Sequence, residues 1–225
     1  MTSTQRAQLV AAFAGLVGFA IVVQQVMTNG ALIDADRSLA LRYSHGLAGR
    51  VHSFRRLQGS GTLVSIARVF TPFGDVVILS AIVGAVALVL YQRNRRREAA
   101  FVGVAAVGGV LLDLITRTII GQVRPDLPIP GFIVLRDGLP SGHAMDSTVC
   151  YGALLVVAWC GRKLWQRIAL TIATAGLALA VSYSRVITLA HYFSDVVAGV
   201  ALGWAWLFAV AAAFRLPTTN SSSAD

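Results

Sequence analysis

Three short stretches of the chain carry histidine, arginine and aspartate at spacings that suit phosphoryl chemistry. His191 and Asp195 stand four positions apart, so that on a helix their side chains share one face. An aspartate beside an imidazole fixes its tautomer and stabilises its cation, which makes His191 a candidate nucleophile on phosphorus. His143 follows a Pro-Ser-Gly turn. We expect it to reach the same pocket and to protonate the departing oxygen.

Three arginines are candidates to hold the phosphoryl group. Arg117, Arg124 and Arg185 would repel one another without an anion between them, and guanidinium groups bind phosphate oxygens in a bidentate manner. Backbone N–H groups behind Ser141 and Gly142, where a hydrophobic segment begins, add an anion site of the kind found at helix N-termini. The missing side chain of Gly142 lets a phosphate approach the backbone. The expected cradle requires no metal and no cofactor.

Each of these residues also has a simpler interpretation when taken alone. A lone histidine at the end of a span is more often an interfacial residue than a catalyst, and arginines there often anchor the helix or snorkel. His45 and His52 receive only that interpretation. Asp113 and Asp146 are left out of the predicted site, and Asp75 receives no role. The catalytic hypothesis depends on the gathering of ionisable groups at one side, although each costs roughly 2.5–3.5 kcal/mol near a bilayer centre.

Hydrophobic helices must position these residues. The chain has 225 residues, of which 56% are hydrophobic and 13% charged, whereas a soluble domain has about 25% charged residues. Runs of about 20 apolar residues indicate membrane-spanning helices. We predict an all-α polytopic membrane protein, a six-transmembrane-helix bundle in one domain over residues 1–215, followed by a disordered tail at 216–225. The predicted spans are Ala7–Met27, Phe70–Tyr91, Ala99–Ile120, Met145–Cys160, Ile168–Ser184 and His191–Phe214.

Basic loops predict the orientation of the bundle. Segments 92–98 and 161–167 are rich in basic residues and follow even-numbered spans, on the side where Arg6 and Arg215 also fall. The positive-inside rule places this side, with both termini, in the cytoplasm. The predicted site residues then face the outer side. The basic segment 34–57 also falls on the outer side, and an amphipathic helix along the interface and a solvated connector explain it equally well.

The net charge of +9 would ordinarily indicate a nucleic-acid partner. Because several basic residues lie in short loops that set topology, we expect no nucleic-acid partner. Lys163 is the only lysine beside many arginines, a preference typical of GC-rich bacterial genomes. The expected location is therefore the bacterial inner membrane.

Three motifs resemble those of the type 2 phosphatidic acid phosphatase superfamily. Residues 117–125 read RTIIGQVRP, close to K-x6-R-P; residues 140–143 read P-S-G-H; and residues 184–195 read SRVITLAHYFSD, which fits S-R-x5-H-x3-D. The membrane branch of this family has six helices, and the resemblance covers predicted spans 3 to 6. It implies a fold of that kind for this chain.

The resemblance also implies a role for each site residue. His191 would form a phosphohistidine, Asp195 would orient it, and His143 would act as the general acid. The phosphate-binding residues would be Arg117, Arg124, Ser141, Gly142 and Arg185. The chain departs from the family pattern at position 117, where arginine replaces lysine, so that a planar fork stands in place of a point charge.

These features predict a metal-independent membrane lipid phosphatase, acting on a phosphoric monoester or diphosphate. The expected partners are membrane lipids and a phospholipid or polyprenyl phosphate substrate. Undecaprenyl diphosphate is the first expectation, with phosphatidic acid and phosphatidylglycerol phosphate as close rivals. A lipid phosphotransferase using the same site and a non-catalytic lipid-binding or transport protein are the alternatives. Vanadate haloperoxidases of the same superfamily are soluble, and the six predicted spans argue against them.

Overall fold

The computed structural model describes residues 1–44, 62–120, 138–188 and 190–216. Within these ranges the protein consists of α-helices joined by short turns, which confirms the all-α prediction. The helices are α1 Ser3–Met27, α2 Ala31–Ser44, α3 Thr62–Phe70, α4 Val76–Gln92, α5 Arg96–Ile120, α6 Gly142–Trp159, α7 Leu164–Ile187 and α8 Phe193–Ala213, with a 3₁₀ turn at Thr71–Gly74 between α3 and α4.

The close crossing of α6 and α8 forms the centre of the bundle. A β-carbon at Gly199 of α8 would lie 2.5 Å from the carbonyl oxygen of Ser141, and one at Gly203 would lie 2.9 Å from that of Met145. Because lipid is as apolar as a leucine side chain, such backbone proximity and tight packing hold membrane helices together. The two glycines therefore bring the start of α6 against the first half of α8, where the candidate site residues lie.

The two ends of the described chain meet at one end of the bundle. Gln8 of α1 is buried, and its Nε2 donates to the carbonyl oxygen of Leu216 at 3.0 Å. Arg97, which follows the basic turn after α4, donates to the carbonyl oxygen of Phe214. The start of α1, the end of α8 and the arginine-rich segment 92–98 therefore share one end, as the loop pattern predicted.

Four described helices, α1, α5, α7 and α8, are long and apolar enough to cross a membrane. A fifth span results if α3, the 3₁₀ turn and α4, bent by 50°, count as one. The central helix α6 does not qualify, because its first turns read GHAMDST and lower its hydropathy. Of the six predicted spans, four or five therefore qualify within the described ranges, and α6 lies mostly buried among its neighbours.

The predicted span starts differ from the helix starts by two to six residues, and two of these differences have a local cause. The second span was expected from Phe70, but α4 begins at Val76 because Pro72 initiates a 3₁₀ turn and Asp75 then caps the new helix. The fourth was expected from Met145, but α6 begins at Gly142. Both differences arise from polar turn residues that helical periodicity does not detect.

Some predictions concern residues outside the described ranges. These are the predictions for Arg124, His45 and His52 and for residues 217–225 of the predicted tail. Of the basic segment 34–57, residues 34–44 belong to α2. This helix is amphipathic, since Ile33, Asp36 and Ala40 are buried against neighbouring helices.

Candidate active site

A buried histidine–aspartate pair lies at the N-terminus of α8. His191 Nδ1 lies 3.3 Å from Asp195 Oδ2, and the two side chains are 4% and 0% exposed. The backbone N–H of Tyr192 donates to the same carboxylate oxygen at 3.0 Å, which orients it. His191 was predicted to lie on the helix, whereas α8 begins at Phe193. The pair forms nevertheless, and it leaves Nε2 as the ring nitrogen able to attack phosphorus.

The Pro-Ser-Gly-His turn rests directly on this pair. The peptide bond between Leu139 and Pro140 is cis, and the N–H of Ser141 donates to the carbonyl oxygen of Asp195 at 2.9 Å. The carbonyl oxygen of Ser141 then accepts the first bond of α6, from Met145 N–H at 2.9 Å. The turn therefore fixes the start of α6 against the start of α8.

The start of α6 offers several hydrogen-bond donors. Ser141 is the N-cap residue, but its side chain makes no capping bond. Its hydroxyl is fully buried and has no hydrogen-bond partner among the described residues. The N–H groups of the first helical turn, from Gly142 onward, have no intrahelical acceptor. Together these donors form an environment that favours an oxyanion.

Arg117 approaches this helix start from the last turn of α5. Its Nε donates to the carboxylate of Asp113 at 3.0 Å. A β-carbon at Gly142 would collide with the Arg117 guanidinium and would lie 2.7 Å from Asp113 Oδ2. Gly142 therefore leaves the space in which the guanidinium reaches the α6 amides. The predicted site did not include Asp113. Its carboxylate partly neutralises Arg117, whereas from the sequence only a bound anion was expected to neutralise the arginines.

The remaining predicted residues approach from α6 and α7. Arg185 lies in the last turn of α7, and its carbonyl oxygen accepts the N–H groups of Ala190 at 3.0 Å and His191 at 3.1 Å. These bonds attach the end of α7 to the histidine. His143, which is partly exposed, lies within electrostatic range of Arg117, Arg185 and His191.

The 3₁₀ turn Thr71–Gly74 forms a wall beside His143. A β-carbon at Gly74 would lie 3.1 Å from Cδ2 of the imidazole and would collide with Val181. Tyr151 of α6 donates to the carbonyl oxygen of Phe73 at 2.7 Å and holds the turn in place. The backbone of the turn thus confines the histidine ring.

The described residues therefore bring seven of the eight predicted site residues to one end of the bundle, while Arg124 lies outside the described ranges. Sequence reasoning did not include Gly74, Asp113 or Asp36. Asp113 had a detectable signal, since it stands four positions before Arg117 in an apolar helix. Asp36 had none, because its partner is 158 positions away along the chain.

Among the described residues, no group of three or more His, Cys, Asp or Glu side chains could hold a metal ion.

The bundle and its polar end define a helical membrane protein with a candidate oxyanion site. The family model of the PAP2 superfamily matches residues 98–218, more than half of the chain. The chain therefore belongs to the PAP2 superfamily, which confirms that its motifs resemble those of the type 2 phosphatidic acid phosphatase superfamily. Membership supports a phosphatase.

One solved structure is similar to this chain over most of the length of both proteins. It is the crystal structure of the first transmembrane PAP2 type phosphatidylglycerolphosphate phosphatase from Bacillus subtilis, with a TM-score of 0.67 and 22% sequence identity over 89% of this chain and 94% of that chain. At this identity the likeness concerns the fold. With the apolar helices, it supports an integral membrane protein. No curated protein sequence matches the chain.

Proposed function

We propose that the protein is a membrane lipid phosphatase that removes a terminal phosphate from a lipid phosphate or diphosphate through a phosphohistidine on His191. The observation that carries the proposal is the buried His191–Asp195 pair beside Arg117, Arg185 and the first-turn amides of α6. Such a set combines a steered nucleophile with donors for a phosphoryl group. Family membership supports the phosphatase class.

The proposed reaction has two in-line steps. Nε2 of His191 attacks phosphorus, the bond to the leaving oxygen breaks, and His143 gives that oxygen its proton. Water then attacks the phosphohistidine, His143 takes a proton from that water, the phosphorus–nitrogen bond breaks, and phosphate leaves. Asp195 stabilises the imidazolium in both steps. Arg117, Arg124, Arg185 and the donors at Ser141 and Gly142 would bind the phosphoryl oxygens throughout.

An apolar groove supports a lipid as the substrate. The groove has a volume of about 340 Å³ and lies between α1, α7 and α8, with walls that include Phe193, Val196 and Trp204. Phe193, which opens α8 two residues after His191, is one of the lining residues. An apolar groove on the helix that follows the candidate nucleophile suits the acyl or prenyl chain of a lipid substrate. An isoprenoid diphosphate such as undecaprenyl diphosphate is the first candidate, with phosphatidic acid and phosphatidylglycerol phosphate as rivals.

The test is phosphate release by the purified protein in detergent. We expect free phosphate from at least one of these three lipids, with full activity in excess EDTA because the proposed steps require no metal. The three lipids, compared at equal mole fraction, rank the substrate classes. Activity abolished by EDTA and restored by a divalent cation would contradict the metal-independent mechanism. Phosphate recovered on a second lipid instead of in water would identify a phosphotransferase.

Gly142→Ala is expected to lower kcat/KM for phosphate release without unfolding the protein. The added methyl meets the flexible end of Arg117, so the guanidinium moves while the helices stay in place. We expect kcat/KM to fall on the order of 10²-fold, as when one donor to a developing oxyanion is lost. The matched control is Gly176→Ala on α7, where nothing lies within 4 Å of the added β-carbon. Equal activity in both variants would remove Arg117 from the proposed cradle.

We propose that the site end of the bundle faces the outer side of a bacterial inner membrane, with both termini in the cytoplasm. The support is the arginine-rich segment 92–98 at the same end as the termini. A reporter fused after Arg215 should therefore read as cytoplasmic. A reproducible signal from the outer side would reverse the orientation.

A further inference from the structure

A buried carboxylate on α2 binds the first turn of the helix that carries the candidate nucleophile. Asp36 is 1% exposed. Its Oδ1 accepts the backbone N–H of Ser194 at 2.8 Å, and its Oδ2 accepts the Ser194 hydroxyl at 2.6 Å. Both oxygens of one carboxylate thus bind one residue, which is a rigid, directional arrangement.

Ser194 is well placed to transmit this constraint. It lies between His191 and Asp195 and directly precedes the aspartate. Its N–H is one of the first-turn groups of α8, which have no intrahelical acceptor and attract negative charge. Asp195 binds the neighbouring N–H of Tyr192 at 3.0 Å. Each of the two carboxylates therefore binds one backbone N–H at the start of α8, and together they fix its orientation.

The histidine–aspartate contact is sensitive to that orientation. At 3.3 Å, the separation of His191 Nδ1 and Asp195 Oδ2 is at the long end of the hydrogen-bond range. A small rotation of the first turn of α8 would therefore break it. The helix that carries Asp36 is held in place by apolar packing. Its Ile33 belongs to a buried cluster with Leu139, Met145 and Leu202.

We infer that Asp36 is a positioning residue, which holds the first turn of α8 through Ser194 so that Asp195 stays aligned with His191. The inference rests on the proposed function for its kinetic consequence. It adds a residue from the N-terminal third of the chain, outside the stretch that the family model matches, 98–218. In this role the buried Asp36 acts on the reaction through the geometry of the His191–Asp195 pair.

The tests use Asp36→Asn, Ser194→Ala and the double variant. Asparagine keeps the size of the side chain but removes its charge, and its NH₂ group cannot accept a hydrogen bond, so the Ser194 hydroxyl can no longer donate to that atom. Ser194→Ala removes only the hydroxyl bond and leaves the charge of Asp36. The matched control is Asp34→Asn, on the same helix, where the side chain is 79% exposed. All variants are purified as the full chain and compared per amount of folded protein.

We expect Asp36→Asn to lower kcat about 10- to 100-fold with KM nearly unchanged, because a misplacement near 1 Å costs rate and leaves ground-state binding intact. Ser194→Ala should lower kcat less. The double variant should be no slower than Asp36→Asn, since both changes break one contact. Additive effects in the double variant, or a rise in KM with kcat unchanged, would overturn the role through Ser194.

A second measurement does not depend on turnover. Diethyl pyrocarbonate acylates accessible neutral imidazoles, and mass spectrometry reports the rate at His191. We expect faster labelling in Asp36→Asn and Ser194→Ala than in Asp34→Asn, because the buried ring is released. If labelling of His191 rises in these variants while the wild-type protein releases no lipid phosphate, the positioning role of Asp36 is supported and the phosphatase proposal fails. If the wild type is active while labelling and kcat in Asp36→Asn equal those of the control, the inference alone fails.

Discussion

His191→Ala should abolish phosphate release, lowering kcat by roughly 10⁴- to 10⁶-fold, as expected when a covalent nucleophile is removed. The variant keeps the arginines and the α6 amides, so it should still bind the lipid. The helices should also persist, because the imidazole makes one side-chain contact, to Asp195 at 3.3 Å, among the described interactions. The measurement is free phosphate per folded molecule, together with radiolabel trapped on the protein at alkaline pH, where phosphohistidine is stable.

The control for this variant is His45→Ala, since the sequence assigns that histidine no more than an interfacial role. It should keep activity within about two-fold of the wild type. Phosphate release that is undiminished in His191→Ala would refute the nucleophile assignment. Radiolabel that persists on the His191→Ala protein would direct the search to another residue, and His143 would be the first to examine.

Asp195→Asn should produce the second largest effect, a fall in kcat of about 10³- to 10⁴-fold. The amide keeps the size of the side chain but removes the charge that stabilises the imidazolium. It can also present an N–H₂ group to Nδ1, which favours the wrong tautomer for attack through Nε2. In the other orientation the amide oxygen takes the place of Oδ2, so that the backbone bond from Tyr192, 3.0 Å long, still forms and only the charge is lost. Substrate affinity should therefore change little.

Pre-steady-state kinetics locates the defect in Asp195→Asn. Formation of the phosphohistidine should slow by the same factor as kcat. The matched control is Glu98→Gln, which removes a carboxylate that pairs with Arg95 at 3.1 Å near the opposite end of the bundle. We expect that control within two-fold of the wild type. A loss in Asp195→Asn that appears only in KM would instead indicate a role in substrate binding.

Much of the helical architecture follows from local composition. Long apolar runs leave a helix as the structure that satisfies its own backbone hydrogen bonds within lipid, so α1, α5, α7 and α8 lie close to their predicted ranges. Where a helix is buried among other helices, this signal weakens. The central helix α6 carries Asp146 in its second turn and is too polar for a lipid-facing span. Composition therefore could not define the number of spans.

The breaks between helices depend on single polar residues. The second span was predicted as one segment, Phe70–Tyr91, yet Pro72 and Asp75 divide it into the end of α3, a 3₁₀ turn and α4. That division matters for the site, because Gly74 of the turn packs against His143. Periodicity averages over many residues, whereas a cap or a turn involves one or two, so the break was not predicted.

The residues of the candidate site could be selected from residue types and spacing, because the histidine, its carboxylate and the arginines lie in short motifs whose local geometry is set by the helix. The contacts between motifs were not readable. The Ser141 turn on Asp195 and Asp36 beneath Ser194 each join segments that are far apart in the chain, through the packing of helices. A carboxylate in α2 finds its partner 158 positions away, and only the assembled bundle brings these two groups within hydrogen-bonding distance.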